Sequence, residues 1–289
     1  MSLAAVQENP LPYLVALGAV ALGLLTFLKK PSKQVALNAS EWRSFQLIER
    51  VDVSHNTRRF RFALQTPQTT LGLPIGQHMC LRFTNADGEE IVRKYTPTTS
   101  DDEKGYFDLV IKVYEKGQMT QHLEHMKVGD NIEVRGPTGS ITYSARGEFT
   151  FASRKGAIVK NVKRIGMIAG GTGLTPMLQI ARQMMKDKAD NTEVSLIFAN
   201  VNEEDILLRN ELEKMADDEE RFSLYHVLNN PPAGWTQGEG FVNQEHIRAN
   251  IPAPADDVLV LLCGPPPMIK AMKGHLEALG YDKSSVKAF

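Results

Sequence analysis

Hydrophobic residues change their spacing twice along this chain. Residues 11–28 carry no charge, residues 45–135 alternate apolar and polar positions in short runs, and residues 164–279 combine continuous apolar runs with helical periodicity. Such a pattern predicts three parts. They are an N-terminal segment at residues 1–33, a β-rich domain at residues 34–150 and an α/β domain at residues 151–289.

The uncharged N-terminal segment, residues 11–28, would be about 27 Å long as a helix, which is close to the thickness of a bilayer's hydrocarbon core. Lys29, Lys30 and Lys33 follow it, and Glu8 is the nearest charge before it. Basic flanks stay in the cytosol, so we predict a transmembrane helix with the following domains cytosolic. A short anchor of this kind fits the mitochondrial outer membrane or the endoplasmic reticulum. A cleaved signal peptide and a buried helix are the alternatives.

The alternating region contains six short runs separated by turn residues such as Thr66-Pro67 and Asp87-Gly88. Several short strands at regular spacing predict an antiparallel barrel or sandwich. The runs lie at residues 45–53, 58–64, 78–84, 90–96, 106–114 and 131–135.

The C-terminal region alternates strand-like and helix-like segments, which predicts a doubly wound parallel sheet that binds ligands beyond the carboxyl ends of its strands. The predicted strands lie at residues 164–170, 193–200, 222–228 and 258–264. The predicted helices follow residue 174, span residues 206–215 and close the chain at residues 267–279.

Charge and cysteine content narrow the function. Lys and Arg number 33 and Asp and Glu number 34, interspersed along the chain, which argues against nucleic acid as a partner. Cys80 and Cys263 are the two cysteines, so a disulfide framework is not expected and a reducing compartment is. No Cys/His cluster has the spacing of a zinc site, and we predict no metal.

A glycine turn, Gly170-Gly171-Thr172-Gly173, lies between a predicted strand and a predicted helix. Glycines let the backbone approach a phosphate, and a helix N-terminus offers free N–H groups and positive potential. We predict Thr175 as the N-cap of that helix. A purely structural tight turn remains the alternative, since this is not the G-x-G-x-x-G fingerprint.

Two further motifs end strands. Cys263-Gly264-Pro265-Pro266-Pro267-Met268 closes a strand of the predicted parallel sheet, where it is a candidate wall for a nicotinamide or, alternatively, a helix start with a buried cysteine. Arg93-Lys94-Tyr95-Thr96-Pro97 closes a barrel strand. Arginine can bind a phosphate, tyrosine can pack on a flat cofactor and threonine can bond a ring nitrogen, although a plain amphipathic strand end is equally compatible.

The order of these motifs resembles the NADH–cytochrome b5 reductase family of the ferredoxin–NADP reductase superfamily. It comprises R-K-Y-T-P, D-L-V-I-K-V-Y, K-G-Q-M-T, R-G-P-T-G, G-G-T-G-L-T-P and C-G-P-P-P-M. The resemblance covers about residues 40–289 and implies a Greek-key β-barrel that binds FAD, followed by an α/β domain that binds NADH. It also implies hydride transfer from NADH to FAD and then single electrons to cytochrome b5 or a similar small carrier.

The resemblance assigns site residues. Thr96, near the reactive flavin nitrogen, and Cys263, beside the nicotinamide, are the catalytic candidates. The expected FAD contacts are Arg93, Tyr95, Thr96, Pro97, Val110, Ile111, Lys112, Tyr114, Gly117, Gln118, Met119, Thr120 and Thr175. The expected NADH contacts are Gly170, Gly171, Thr172, Gly173, Asp205, Cys263, Gly264, Pro265, Pro266 and Met268. Two positions depart from the family pattern, Lys94 in place of a second proline and Gln118 in place of a basic residue.

Charge after the second sheet strand bears on nucleotide choice. Glu203, Glu204 and Asp205 would repel the 2′-phosphate of NADPH, so NADH is expected, and Asp205→Thr or Asp205→Arg should improve NADPH use. The alternative is an acidic helix N-terminus that complements the helix dipole.

A basic stretch and the family resemblance suggest several electron acceptors. A basic stretch could receive an acidic carrier or could be a solvated linker. Its residues are Arg154, Lys155, Lys160, Lys163 and Arg164. Fungal members that this chain resembles also supply electrons to an iron-carrier protein in diphthamide synthesis and to wobble-uridine tRNA modification, which makes these further possible acceptors. A superfamily reductase with a ferric-chelate or nitrate-reducing partner, and a membrane-tethered nucleotide-binding adaptor, are the competing hypotheses. We expect a monomer.

Overall fold

Alternation in the first half of the chain folds as a barrel-like antiparallel sheet. A computed structural model describes residues 34–289, and within that range no helix is long and apolar enough to cross a membrane. The predicted anchor helix at residues 11–28 lies outside the described residues. The strands are β1 (Arg43–Ser54), β2 (Thr57–Ala63), β3 (His78–Thr84), β4 (Glu90–Tyr95), β5 (Tyr106–Lys112) and β6 (Asn131–Thr138), in the sheet order β4-β3-β6-β1-β2-β5.

The barrel closes around aromatic side chains from its inward-facing positions. Phe62 stacks on Phe107 at a centroid distance of 5.2 Å, and Phe45 meets Phe107 edge-on at 5.5 Å. All three rings are at most 1% exposed, so alternation along these strands is explained by one buried face. A single helix, α1 (Gln118–His125), connects β5 to β6.

A small antiparallel sheet that the hydrophobic pattern did not predict follows the barrel. Its strands are β7 (Ile141–Tyr143), β8 (Glu148–Ser153) and β9 (Gly156–Asn161). The linker interpretation of the basic stretch was wrong, because Arg154 and Lys155 form the β8–β9 turn and Lys160 lies on β9. Residues 150 and 151, on either side of the predicted domain boundary, both lie in β8.

The C-terminal half is a parallel sheet with helices on both faces, as predicted, and it has two short strands beyond the four that the pattern predicted. The strands are β10 (Arg164–Gly170), β11 (Glu193–Asn200), β12 (Phe222–Leu228), β13 (Gly238–Glu239), β14 (Val258–Cys263) and β15 (Val286–Ala288), in the order β13-β12-β11-β10-β14-β15. The helices are α2 (Leu174–Lys186), α3 (Arg209–Asp218), α4 (Gln244–Asn250) and α5 (Pro266–Ala278).

Strand order in this sheet creates a switch point. From β10 the chain runs outward through β11, β12 and β13, and it then returns to place β14 on the other side of β10. The carboxyl ends of β10 and β14 are therefore neighbours, with Ala169 opposite Cys263. Ligands of open α/β sheets bind at such a point.

Two details of the predicted helices were wrong. Thr175 is not an N-cap: Gly171–Gly173 form a 3₁₀ turn, Gly173 is the N-cap of α2, and the Thr175 hydroxyl donates to the Thr172 carbonyl. The helix predicted from residue 206 begins at Arg209, because Leu208 adopts a left-handed conformation with φ of 53°.

Polar contacts join the barrel to the parallel sheet and fix the opening between them. The Gly76 amide donates to Oε1 of Gln179 on α2 at 2.8 Å, and Arg182 on α2 donates to the Thr98 carbonyl. Lys112 on β5 bonds to Asp205, after β11, at 2.6 Å. The carboxyl edge of the parallel sheet consequently faces the end of β4 and the start of α1.

Candidate active site

A cavity of about 1060 Å³ lies between the barrel and the carboxyl edge of the parallel sheet. Its wall includes most residues that the resemblance assigned to a cofactor, drawn from both halves of the chain. From the barrel side these are Arg93, Tyr95, Thr96, Val110, Ile111, Lys112, Tyr114, Gly117, Gln118, Met119 and Thr120. From the sheet side they are Gly170, Gly171, Thr172, Gly173, Thr175, Cys263, Gly264, Pro265 and Met268. Pro97, Asp205 and Pro266 are not on the wall.

The end of β4 supplies a cation and an aromatic ring side by side. Arg93 is exposed and lines the cavity, and its Nη1 donates to the Val92 carbonyl at 2.8 Å. Tyr95 packs partly against the barrel core, and burial raises the pKa of its hydroxyl, so the ring is neutral. Thr96, which follows directly, is only 7% exposed. Lys94, to which the resemblance gave no contact, also lines the cavity.

The first turn of α1 points free N–H groups at the same wall. Within residues 34–289 no side chain caps this helix, and Gly117 is its N-cap. The Thr120 hydroxyl donates to the Gly117 carbonyl at 3.0 Å and accepts from the Tyr114 amide at 3.2 Å, which braces the loop. A helix N-terminus without a cap is a site for an anionic oxygen.

The glycine turn after β10 forms a second uncapped N-terminus. Gly171 has a φ of 53°, a conformation that other residues rarely adopt. A Cβ on Gly173 would overlap the Cys263 carbonyl oxygen and lie 2.8 Å from the Gly264 nitrogen. The turn therefore packs directly on the β14 loop, and no side chain of the described residues caps α2 at Gly173. The close approach brings the two loop motifs together, beyond the ends of adjacent strands.

Cys263 ends β14 on the cavity wall. Burial raises the pKa of its thiol to about 11, against a smaller opposing effect of the Gly264 amide. The thiol is therefore protonated at neutral pH and is not a thiolate nucleophile. It can serve as a small, neutral, polarisable wall for a flat ring.

Asp205 occupies a position that the nucleotide-choice argument did not anticipate. The side chain is 6% exposed, and it accepts hydrogen bonds from Lys112 Nζ at 2.6 Å and Asn56 Nδ2 at 3.4 Å. Its second oxygen accepts from the Asn202 amide at 3.1 Å in a capping box. Burial opposes ionisation, but the bonds from Lys112 and Asn202 hold the pKa of Asp205 below its ordinary value. This carboxylate therefore caps the N-terminus of a short 3₁₀ turn, Glu203–Asp205.

Several cavity residues were missed by the sequence motifs. Asn200 ends β11, while Asn229 and Phe241 follow β12 and β13, and all three line the cavity beyond the glycine turn; Phe241 is 83% exposed. Phe289, the last residue, lines it near β14 and is held by its amide to the Leu262 carbonyl at 3.0 Å. Position at or just after the end of a predicted parallel strand was the available signal for Asn200 and Asn229, whereas Phe241 follows β13, which the hydrophobic pattern did not predict.

The cavity wall carries positive charge that can bind phosphates. Arg93, Lys94, Lys112 and Lys116 line the barrel side, and the α1 and α2 N-termini add positive potential. His78 also lines the cavity, and burial together with the charge of Lys94 lowers the pKa of its ring. This set of donors fits the diphosphates of two dinucleotides, and among the described residues the wall offers no carboxylate for general acid–base catalysis.

Comparison with known proteins assigns the two halves of the chain to two domain families. The family described as oxidoreductase FAD-binding domain matches residues 44–143, and the oxidoreductase NAD-binding domain matches residues 167–274. NADH-cytochrome b5 reductase 1 of Dictyostelium discoideum is 51% identical over 259 residues, which are 89% of this chain and 85% of that protein. NADH-cytochrome b5 reductase 1 of Aspergillus clavatus is 48% identical over 285 residues, 96% of this chain and 88% of that protein.

Among solved structures, the cytochrome b5 reductase domain of Ulva prolifera nitrate reductase superposes with a TM-score of 0.84. It is 38% identical in sequence, and the match covers 88% of this chain and 99% of that domain.

Proposed function

This chain belongs to the NADH–cytochrome b5 reductase family, and we propose from that premise that its cavity is where NADH is oxidised for delivery of electrons to cytochrome b5. FAD and NADH are the cofactors of the family. The observation that carries the proposal is a single cavity lined by Tyr95 and Thr96 from the barrel and by Gly170 and Cys263 from the parallel sheet.

The residues of the cavity fit both cofactors. On the barrel side, Arg93 and the uncapped first turn of α1 would hold the FAD phosphates, and Tyr95 would pack on its ring. On the other side, the first turn of α2 would hold the NADH phosphates, and Cys263 would border the nicotinamide. Bound FAD supplies the chemistry, accepting hydride from NADH and releasing electrons singly.

The protein's own contribution is orientation. The Arg182 and Gln179 contacts hold the barrel against α2, so groups on the two walls keep a fixed separation. Thr96 places a neutral hydroxyl at the meeting point, where it can donate a hydrogen bond toward developing negative charge. Burial keeps the Cys263 thiol protonated at neutral pH, so it presents a neutral surface there.

The acceptor is proposed to dock on a basic face beside the β8–β9 turn. Of the five basic residues in the predicted stretch, two have structural partners: Lys160 donates to Ser285 Oγ at 2.8 Å, and Arg164 pairs with Asp257 at 2.7 Å. Arg154 and Lys155 are exposed in the turn and supply the face, whereas Lys163 is exposed beyond the opposite end of β9. An acidic haem protein is the partner that such a face would attract.

Anaerobic stopped-flow spectroscopy of the purified, FAD-loaded chain tests this function. We expect NADH to bleach the flavin and cytochrome b5 to reoxidise it in a second, salt-sensitive phase. Ferric chelates and the iron carrier of diphthamide synthesis, which also represents the tRNA-modification route, serve as parallel acceptors. Arg154→Glu with Lys155→Glu should slow only the cytochrome phase. Protein that binds no FAD would favour the nucleotide-binding adaptor, and faster reoxidation by another carrier would favour the alternative acceptor.

We also propose that residues 11–28 anchor the enzyme in the mitochondrial outer membrane or the endoplasmic reticulum, with the described domains in the cytosol, and that it is a monomer. The uncharged stretch followed by three lysines supports the anchor. Carbonate-resistant membrane association that is lost when residues 1–33 are deleted would support it. Recovery of the full chain in the soluble fraction would contradict it, and light scattering of the truncated protein measures its oligomeric state.

A further inference from the structure

The side chain of Asn200 is a buried amide on the cavity wall that has no hydrogen-bond partner among the described residues. It ends β11 and is 7% exposed, and its Nδ2 lacks any partner among residues 34–289. The backbone carbonyl is used, since it accepts from the Asn229 amide at 3.1 Å. Buried polar groups are normally satisfied, so a lone amide in a cavity wall indicates a ligand contact.

Strand order places this amide along the proposed dinucleotide. The carboxyl ends run β14, β10, β11 across the edge, with neighbouring strands about 4.8 Å apart. Cys263 ends β14, the glycine turn follows β10, and Asn200 ends β11. A dinucleotide with its diphosphate on the glycine turn and its nicotinamide at Cys263 puts its adenosine half at Asn200.

Other polar groups near this end already have partners. Asp205 is held by Lys112 and Asn202, and Asn229 Nδ2 donates to the Gly240 carbonyl at 3.2 Å. Phe241, on the same part of the wall, offers an apolar ring. Asn200 is therefore the side chain at this end, within the described part of the chain, whose amide is still to be satisfied.

We propose that the Asn200 side chain binds the adenosine ribose of the nicotinamide nucleotide and favours a ribose with free hydroxyls. An amide donates and accepts, which matches a hydroxyl that does the same. A 2′-phosphate accepts only and carries a charge that a neutral amide does not compensate. This inference rests on the proposed function for the nucleotide's placement, and it makes Asn200 a specificity residue in place of Asp205.

The test measures binding of nucleotide fragments to the FAD-loaded full chain by calorimetry. Asn200→Ala should weaken ADP-ribose by roughly 3- to 10-fold, the loss of one hydrogen bond. Flavin reduction by reduced nicotinamide mononucleotide, which lacks the adenosine half, should be unchanged. Asn230→Ala is the matched control, because this exposed asparagine bonds to Asn202 Oδ1 at 3.1 Å and is not on the cavity wall.

Asn200→Asp keeps the shape of the side chain and guards against misfolding of the alanine variant. Its carboxylate can accept from a ribose hydroxyl and repels a 2′-phosphate, so NADP⁺ should weaken by at least about 10-fold relative to NAD⁺. Unchanged ADP-ribose affinity in Asn200→Ala, equal losses for both fragments, or an unchanged NADP⁺ to NAD⁺ ratio in Asn200→Asp would overturn the proposal. Wild-type flavin that NADH fails to bleach would instead refute the proposed function, since fragment binding is measured separately.

Discussion

The two walls of the cavity are built in different ways. The barrel wall presents side chains of strands, such as Arg93 and Tyr95 on β4 and Lys112 on β5, against a core of aromatic rings. The parallel-sheet wall presents loop backbone at strand ends, where Gly173 packs on the Cys263 carbonyl. A wall made of side chains can lose one side chain and keep its shape, whereas a wall made of backbone depends on two loops packing closely. Mutations in the two walls should therefore have different effects.

The largest expected effect on activity comes from breaking the backbone wall at Gly173. In Gly173→Ala the new Cβ would meet the backbone of Cys263 and Gly264, which cannot move aside as a flexible side chain would. Displacing the loops by about 1 Å should slow flavin reduction by NADH roughly 100-fold. FAD content should stay near that of wild type, because the barrel wall is intact. Stopped-flow reduction and the flavin spectrum measure the two quantities.

Gly274→Ala is the control for this change. Gly274 lies within α5, and a Cβ added there would have no described atom beyond its own helix and chain neighbours within 4 Å, so alanine should be accepted and should favour the helix. Equal slowing in both variants would show that close packing at Gly173 is not what shapes the wall.

A smaller effect is expected from removing a side chain of the barrel wall. Arg93→Ala should raise the dissociation constant of FAD about 10-fold or more, because a charge-assisted bond to phosphate is lost while the strand persists. NADH reduction of the flavin that remains bound should change little. Fluorescence of released FAD measures the affinity. Arg82→Ala, on neighbouring β3 and paired with Glu90 and Glu133 at 2.7 and 2.8 Å, is the matched control and should release no FAD.

The Lys112–Asp205 pair joins the two walls, and its loss should appear in stability. Asp205→Asn should lower the free energy of unfolding by about 3 kcal/mol at pH 7, because it leaves a largely buried lysine without its counter-ion. The folded pKa of Asp205 is below the ordinary 3.8, so this stabilisation is complete above that pH and disappears as pH falls through the folded value. Denaturant titrations at neutral and strongly acidic pH should show the difference shrinking.

Nucleotide choice separates this interpretation from the one suggested by the sequence. The contrary outcome is that Asp205→Thr raises NADPH use relative to NADH without changing the stability of the protein. That result would show that the carboxylate discriminates between the two nucleotides and does not join the two walls through Lys112.

The last effect concerns the acid sensitivity of the parallel sheet. His226 on β12 is fully buried, neither ring nitrogen has a hydrogen-bond partner among residues 34–289, and burial lowers its pKa from 6.5 to about 4. The unfolded chain takes up a proton below pH 6.5 and the folded chain does not until about pH 4, so stability falls through that window. His226→Leu should remove about 2 kcal/mol of the loss between pH 7 and pH 5. Parallel melting-temperature profiles for variant and wild type would contradict this.

The spacing of apolar residues predicted most strands correctly, because each type of spacing has one physical cause. Alternation predicted the six barrel strands, and apolar runs such as residues 164–170 predicted strands that are buried on both faces. The β8–β9 hairpin was not predicted, because β9 is exposed along nearly its whole length and therefore has no alternation of apolar and polar residues. The helix predicted from residue 206 begins only after Leu208, because this residue has a left-handed backbone conformation. That conformation depends on the local turn and leaves no trace in the hydrophobic pattern.

By itself, the sequence determined the two fold types, the strand end at Gly170, the ends at Tyr95 and Cys263 to within one residue, and the glycine motif that can approach a phosphate. Those features depend on local periodicity and on residue chemistry within a few positions. Only the tertiary structure decided which groups share a cavity and which are already occupied. It paired Asp205 with Lys112 across 93 residues and, within the described chain, left the Asn200 amide without a partner. Hydrogen-bond satisfaction depends on neighbours that are distant in the chain, so no local pattern could reveal it.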